Sequence, residues 1–432
     1  MTWGLRFRKS MAIADIYCDC MKLLFFELIQ VAIGRRERLS HTPTEMEWRE
    51  LYALAEKQAV IGICFCGVQR FQRLGYDIPM DLYMKWLGMA AKIQQRNEVV
   101  NAQCVEVQKM MEKAGFRTYI MKGQGNSALY RVSYDDDNDN LCLLRQSGDI
   151  DIYLDGGFEK VNDFVQRTHP TNEINELEIH YHCLQDTEVE IHYRPFIMRN
   201  PFKNRKLQRF FAEEGEKCFE NKIALPNGVG EIAAPTTTFN LVHQMVHIYH
   251  HLLIGGVGLR QLMDYYFVLR DASTKGKVLR QAQEPSFKVS RGSIVVAEPV
   301  EVQEISKVVH DLGLDRFASA LMWVIAHVFA NDGFDPSTGS GQAKLTTGND
   351  NENLYPWEPN EKDGKFLLNE ILLSGNFGNY DERLPQHRNK WQSFWMLSVH
   401  NLRLFRFTYD DWFWGPLWRL YQFVWRKSKG FK

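Results

Sequence analysis

The chain has 432 residues and a hydrophobic fraction of 45%, enough for two or three domains with an apolar core. Its 52 basic and 53 acidic residues leave a net charge of −1, which excludes general electrostatic attraction to nucleic acid and leaves only a local basic patch for such binding. The eight cysteines are scattered without a CxxC pair, which argues against a zinc-ribbon site and is typical of reduced thiols. We therefore expect a cytoplasmic protein.

The first region, 21–114, is predicted to be helical. Its opening segment, MKLLFFELIQVAIG (21–34), has the apolar character of a signal peptide, but Glu27 interrupts the run and no small-residue cleavage site follows. We therefore favour an amphipathic helix here. Residues 1–20 show no clear pattern and are expected to form a loose extension, with Met21 as an alternative start.

The rest of this region predicts longer helices. Apolar residues recur at three-to-four spacing from Glu45 onwards, and Thr44 stands where an N-cap residue would begin that helix. Residues 81–115 predict one long helix or two, ending at Gly115. No apolar run reaches about 18 residues, so we expect no transmembrane helix.

The middle region, 115–235, alternates strand and helix patterns. Four short segments have the apolar or alternating character of strands, namely FRTYIMKG, GDIDIYLD, ELEIHYHCL and EVEIHYRP. A helical pattern follows each of the first two, and QDT joins the last two in a predicted hairpin. This order predicts an α+β fold, in which a small mixed sheet is flanked by N- and C-terminal helical regions.

The last region, 236–432, is predicted to be helical apart from two polar segments, 273–303 and 331–364, which we expect to be loops. The C-terminus combines a basic end with four tryptophans, Trp412, Trp414, Trp418 and Trp425. We favour a final helix that docks on the core. The alternative is a weak contact of this aromatic helix with a membrane surface or a partner.

Two carboxylates at the start of GDIDIYLD indicate a cation site. Asp149 and Asp151 lie at i and i+2, so they share one face of the strand, about 7 Å apart, and can hold a divalent cation between them. Glu190 lies in the middle of EVEIHYRP, where an isolated buried acid would be costly, and Glu188 on the same face is the second choice. Oxygen ligands favour Mg²⁺, with Mn²⁺ as a substitute. Asp149, Asp151 and Glu190 are therefore the predicted metal ligands and catalytic residues.

A turn before this strand has the composition of a phosphate site. Lys122-Gly123 ends the first predicted strand where a helix begins, so that backbone N–H groups can contact phosphate oxygens. Lys122 and Arg145 would add positive charge to the β- or γ-phosphate. Gly148 would provide the tight backbone turn that lets Asp149 face the metal. These residues are the predicted nucleotide-binding set.

The motifs KGQGNSALY, RQSGDIDIYLD and VEIHYRP together resemble the polymerase-beta-type nucleotidyltransferase superfamily, and especially an uncharacterised bacterial nucleotidyltransferase family within it. In that group the turn reads Lys-Gly, an Arg precedes GDxD, and an acid-x-His strand follows. GLRQLMD (258–264) and GNFG (375–378) also fit, and the resemblance covers about 21–425. Gln124 stands where the superfamily has a Ser.

The resemblance implies metal-dependent transfer of a nucleoside monophosphate from an NTP, such as ATP, to an unknown acceptor hydroxyl, with release of pyrophosphate. It implies two metal ions bridged by Asp149 and Asp151. Glu190 would bind the catalytic metal and help to deprotonate the acceptor. Arg260 would reach the nucleotide phosphates, and Asp264 would orient Arg260 or the acceptor. The acceptor could be a small molecule, a sugar, a protein or an RNA end.

Two other functions remain open. The chain could be a non-catalytic nucleotide-binding or scaffold protein that keeps the fold, although the intact acids argue against this. His243, His247 and His250 share one helical face at i, i+4 and i+7, which could bind zinc in a metallohydrolase. Helix packing is the simpler interpretation, because no HExxH motif is present. His192 shares a strand face with Glu190 and would either orient it or serve packing.

Overall fold

The computed structural model describes residues 19–130, 141–282, 302–330, 356–381, 383 and 398–429. Helices form both ends of the described chain, and a small mixed sheet lies between them. This arrangement confirms the predicted α+β class. Residues 1–18 of the expected extension lie outside the described residues.

Four helices make up the N-terminal region: α1 over 19–32, α2 Glu45–Lys57, α3 Ile61–Arg73 and α4 Met80–Lys113. The Thr44 hydroxyl accepts the backbone N–H of Glu47, whose carboxylate accepts the N–H of Thr44, and this reciprocal pair confirms the predicted N-cap. The long pattern forms one helix, α4, and Gly115 just beyond it has a φ of 87°.

The central sheet has the strand order β1-β2-β4-β3, with β1 Thr118–Met121, β2 Ile150–Leu154, β3 Glu178–His180 and β4 Val189–His192. β2 runs antiparallel to β1 and parallel to β4. β3 and β4 pair antiparallel, as the predicted hairpin requires. The parallel register places Asp151 directly beside Glu190. The connecting helices are α5 Lys122–Ser127, α6 Leu141–Leu144 and α7 Gly157–Thr168.

Further helices follow the sheet. First come α8 Pro201–Cys218 and a two-stranded hairpin of β5 Lys222–Ala224 and β6 Glu231–Ala233. The remaining described helices are α9 Thr237–Ile254, α10 Leu259–Ala282, α11 Val302–Asp311, α12 Asp315–Phe329, α13 Glu361–Ser374, α14 over 398–403 and α15 Phe405–Ser428.

Helices enter both segments that were expected to be loops. α10 continues to Ala282, because no proline interrupts the chain before Pro285. α13 begins at Glu361, and the Asn360 side chain accepts the N–H of Asp363 to cap it. The rest of these segments, 283–301 and 331–355, lies outside the described residues.

Side-chain alternation along β2 separates a core face from a polar face. Ile150, Ile152 and Leu154 are buried in an apolar cluster with side chains of α4 and α7. Burial of each side chain contributes about 1.5–3 kcal/mol. Because the period of a strand is two residues, Asp149 and Asp151 point the other way, into a cavity that α9 and α10 also line. The apolar pattern therefore positions the acids.

The last helix docks on the core at its C-terminal end. The ring of Trp425 packs on Phe158 of α7 with centroids 5.4 Å apart, and Lys429 Nζ lies 3.0 Å from a Glu159 carboxylate oxygen. Trp412, on an earlier turn of the same helix, is exposed. None of the helices in the described residues combines the length and the apolar character needed to cross a bilayer.

Candidate functional site

A cavity of about 280 Å³ lies where the sheet meets α9 and α10. The structure brings every site residue predicted from the sequence to its lining: Lys122, Gly123, Arg145, Gly148, Asp149, Asp151, Glu190, Arg260 and Asp264. These residues come from the start of α5, from the segment between α6 and β2, and from β2, β4 and α10. The folded chain therefore joins segments that are more than a hundred positions apart into one polar site.

The carboxylates of Asp149, Asp151 and Glu190 line one side of the cavity, its acidic wall, and Asp151 lies at the centre of this wall. Lys122 Nζ lies 2.6 Å from its Oδ1, and His192 Nε2 lies 2.9 Å from the same oxygen. Burial alone would raise the pKa of Asp151, but the Lys122 ammonium and the His192 imidazole hold that pKa well below its usual range. Asp151 is therefore a buried, ionised carboxylate with a fixed orientation.

Asp149 has the opposite electrostatic environment. The negative charge of Asp151, followed by burial and by Glu190, raises the pKa of Asp149 to about 6. Such crowding of acids on one strand end is costly without a cation. Among the described residues, Asp151 and Glu190 each place a carboxylate oxygen in a group of ligand atoms that lie within 4.8 Å of one another, and this group also includes a nitrogen of His192 but no oxygen of Asp149. The paired carboxylates fit a divalent metal ion.

His192 supports the acids from within the sheet. Burial alone would lower the pKa of His192, but its hydrogen bonds to Asp151 and Glu190 raise that pKa to about 9. A protonated imidazole donates to carboxylates and offers no lone pair to a metal. The side chain is fully buried, and Nε2 also lies 3.3 Å from Glu178 Oε2. We therefore assign His192 a positioning contact with Asp151.

Sequence reasoning missed Glu178 as a member of the acidic wall. Glu178 of β3 lies opposite His192 of β4 in the antiparallel register and lines the cavity. The repeated pattern of an acid two residues before a His, in ELEIH and EVEIH, could have indicated it once the hairpin was predicted. Glu188, the second choice for the third acid, instead pairs with His180, whose Nδ1 is 2.5 Å from Glu188 Oε1.

Arg145 and Arg260 line another side of the cavity, its basic wall, which contains a buried ion pair. Arg145 Nε and its NH2 nitrogen each donate to Asp264 over 2.6 Å, and the Tyr130 hydroxyl donates to the same carboxylate over 2.5 Å. Asp264 thus orients Arg145, whereas the sequence suggested that it orients Arg260 or the acceptor. The guanidinium fork of Arg145 satisfies both oxygens of this buried carboxylate.

Arg260 is less completely bonded than Arg145. Its NH1 nitrogen donates to the Gln146 carbonyl over 3.0 Å, and its Nε has no hydrogen-bond partner among the described residues. Burial and the nearby Arg145 lower the pKa of Arg260 to about 10, so it stays charged at neutral pH. Arg260 is therefore a cation with hydrogen-bonding capacity to spare.

The Lys-Gly turn adopts an unusual backbone conformation. Lys122 has a φ of 48°, and Gly123 combines a φ of 23° with a ψ of −110°. Gln124, the residue after Gly123, donates to Asn97 and Asn101 of α4 over 3.1 and 2.6 Å. Gln124 thus anchors the turn from behind and leaves the cavity side to Lys122 and Gly123.

The histidines of α9 pack beside the site. His243 Nε2 lies 3.2 Å from the Pro195 carbonyl oxygen, and His247 Nε2 lies 2.9 Å from His251 Nε2. Burial lowers the pKa of His243 to about 3, so its ring is neutral. Among the described residues, the groups of three ligand atoms close enough to share a metal include none from α9. This geometry gives no support to the zinc alternative.

A family model described as "Uncharacterised nucleotidyltransferase" matches residues 44–294, which is more than half of the chain. No curated protein and no solved structure matches the chain significantly. The matched range contains the acidic wall, the Lys-Gly turn and the whole of α10, but ends before GNFG. The chain therefore belongs to this uncharacterised family of nucleotidyltransferases.

Proposed function

We propose that the protein transfers a nucleoside monophosphate from an NTP to an acceptor hydroxyl, using Mg²⁺ held by Asp149, Asp151 and Glu190. What carries the proposal is the crowding of these three acids in a cavity whose opposite wall presents Arg260. A triphosphate needs such cations, and the acids need a metal to balance their charge. Membership of a nucleotidyltransferase family supports the same reaction class.

The proposed reaction exchanges one phosphorus–oxygen bond for another. The acceptor oxygen attacks the α-phosphorus, the bond between the α- and β-phosphates breaks, and pyrophosphate leaves. Glu190 accepts the proton of the acceptor hydroxyl. Bound Mg²⁺ would supply Lewis acidity and neutralise phosphate charge.

The other cavity residues hold this arrangement in place. Lys122 and His192 keep Asp151 ionised and oriented through contacts of 2.6 and 2.9 Å. Arg260 binds the phosphates through its unsatisfied Nε. The Arg145–Asp264 pair fixes the wall from which Arg260 extends, and Gly123 and Gly148 keep the backbone close to the phosphate path.

The proposal is tested with NTPs labelled at the α-phosphate, incubated with the purified protein, Mg²⁺ and a cell extract as the source of acceptors. We expect the wild-type protein to label an acceptor and the double variant Asp149→Asn/Asp151→Asn to lose at least about 100-fold in rate. Asp155→Asn is the matched control, because Asp155 ends the same strand but bonds Arg117 outside the cavity. Undiminished transfer by the double variant would refute the assignment.

A further inference from the structure

The turn Asn376–Gly378 holds an aromatic ring at the rim of the cavity. Phe377 lines the cavity, yet 44% of its surface remains exposed. Its backbone lies in the left-handed region, with a φ of 56° and a ψ of 25°. For a bulky residue this conformation is strained and persists only where the surroundings enforce it. An exposed apolar ring in a strained turn is a candidate for a ligand contact.

The surroundings enforce the turn by close backbone packing. A Cβ atom added to Gly378 would lie 2.3 Å from the Gly255 carbonyl oxygen, so the two backbone segments touch. Gln261 of α10 bridges them: its Nε2 donates to Asn376 Oδ1, and its Oε1 accepts the N–H of Gly258, each over 3.2 Å. The turn is thus fixed to the helix that carries Arg260.

Arg260 connects this ring to the acidic wall. The Arg260 guanidinium carbon lies 5.5 Å from the centre of the Phe377 ring, and the His251 ring centre lies 5.1 Å away. At the other end, a Cβ atom added to Gly148 would lie 3.9 Å from Arg260 NH1, next to Asp149. Phe377 is therefore separated from the predicted metal ligands by one cationic side chain.

Two buried amides show that the cavity has donors to spare for a polar ligand. Asn126 Nδ2 and Gln244 Nε2 have no hydrogen-bond partner among the described residues, although both side chains are buried and line the cavity. A buried amide donor without a partner is costly, which favours a ligand that supplies oxygen or nitrogen acceptors. Riboses, nucleobases and phosphates all do so.

We propose that Phe377 is the platform on which the base of the nucleotide stacks while Arg260 binds its phosphates. This inference rests on the proposed nucleotidyl transfer and names the contact that would retain the nucleoside end of the substrate. An NTP joins a planar ring to a chain of phosphates, which matches an aromatic ring beside a guanidinium. Stacking on an aromatic ring tolerates every base, because every base has a π-face. The platform therefore favours NTPs over inorganic triphosphate without choosing among the four bases.

The test compares binding of ATP, CTP, GTP, UTP and inorganic triphosphate, each with Mg²⁺, by isothermal titration calorimetry of the full chain. Phe377→Asn removes the ring while keeping a residue that tolerates positive φ. We expect it to weaken each NTP about tenfold and to leave inorganic triphosphate within twofold of wild type. Phe377→Tyr keeps the ring and should bind NTPs like the wild type. Phe405→Asn, at a site 46% exposed on α15, is the matched control.

Each other outcome contradicts the inference in a distinguishable way. An equal loss for NTPs and inorganic triphosphate would mean that the turn only positions Arg260. A loss confined to one NTP would indicate contact with a base edge rather than stacking. Unchanged NTP binding by Phe377→Asn would overturn the platform and leave the proposed transfer intact. If the wild type binds neither NTPs nor triphosphate, the proposed function fails, and the platform fails with it.

Discussion

The two walls of the cavity differ in how their charges are balanced. The acidic wall belongs to the central sheet and is the sheet wall, and the basic wall, which includes Arg260 and Asp264 of α10, is the helical wall. The sheet wall gathers four acids, Asp149, Asp151, Glu178 and Glu190. Their mutual repulsion appears in the raised pKa of Asp149, about 6, of which Asp151 is the largest cause. In the helical wall, by contrast, the one acid has a countercharge, because the Asp264 carboxylate accepts hydrogen bonds from two guanidinium nitrogens of Arg145. The sheet wall therefore carries an electrostatic cost that a ligand can relieve, whereas the helical wall neutralises its acid and leaves Arg260 as a charged group.

This difference separates residues that serve chemistry from residues that serve architecture. Perturbed carboxylates in a cavity are typical of functional sites. A buried, bidentate ion pair is expensive to break and fixes the helix that carries it. Substitutions in the sheet wall should therefore change activity with little loss of stability, and substitutions in the helical ion pair should do the reverse. The predictions that follow test this contrast, beginning with the largest effect.

Glu190→Gln should lower the rate of nucleotidyl transfer about 100- to 10,000-fold, because it removes both a proposed metal ligand and the proposed base. The melting temperature should stay the same or rise, since one negative charge leaves a crowded wall. Rates come from transfer of the α-phosphate label, and melting temperatures come from circular dichroism. Glu188→Gln is the control, because Glu188 directly precedes the same strand, is 52% exposed and contacts His180. Equal losses in the two variants would refute the assignment of Glu190.

Asp264→Asn should destabilise the protein by about 3–5 kcal/mol, because it leaves the buried Arg145 guanidinium without its countercharge. Urea denaturation measures this free energy. Asp149→Asn provides the contrast and should cost little or nothing. The double variant Arg145→Met/Asp264→Leu should recover most of the loss, since it removes both charges together. If Asp264→Asn costs less than about 1 kcal/mol, the helical wall does not have the architectural role that we assign to it.

The sheet wall could be predicted from the sequence because its geometry is local. A period of two fixes Asp149 and Asp151 on one face, opposite the apolar residues that must be buried. Glu190 required only the further assumption that its strand lies beside β2, and the parallel register places it directly opposite Asp151. The two-residue period of the strands and the assumption of one neighbouring strand were therefore sufficient to predict that Asp149, Asp151 and Glu190 lie together.

The helical wall could not be predicted in the same way, because its partners are distant in sequence. Arg260 and Asp264 lie at i and i+4, which suggested a pair within α10, yet Asp264 binds Arg145 from a segment before β2. A choice between two arginines depends on burial and on the angle of approach, and neither can be read from spacing. The position of Phe377 depends likewise on the packing of its turn against Gly255.

The smallest predicted effect concerns His243, a neutral histidine of α9 that packs beside the cavity. His243 is fully buried, and burial lowers its pKa to about 3, well below the value of about 6.5 in the unfolded chain. Its contribution to stability is therefore fully present above pH 6.5 and is lost as the pH falls towards 3. Between pH 7 and pH 5 the loss from this residue should be about 2 kcal/mol.

His243→Gln should reduce the fall in unfolding free energy between pH 7 and pH 5 by that amount, because Gln does not titrate and can still donate to the Pro195 carbonyl. Urea denaturation at the two pH values measures the change, which is read within each variant so that the packing cost of the substitution cancels. His310→Gln is the control, since His310 is an exposed residue of α11. If both variants keep the full pH dependence of the wild type, His243 is protonated in the folded protein. α9 would then carry a buried positive charge beside the cavity.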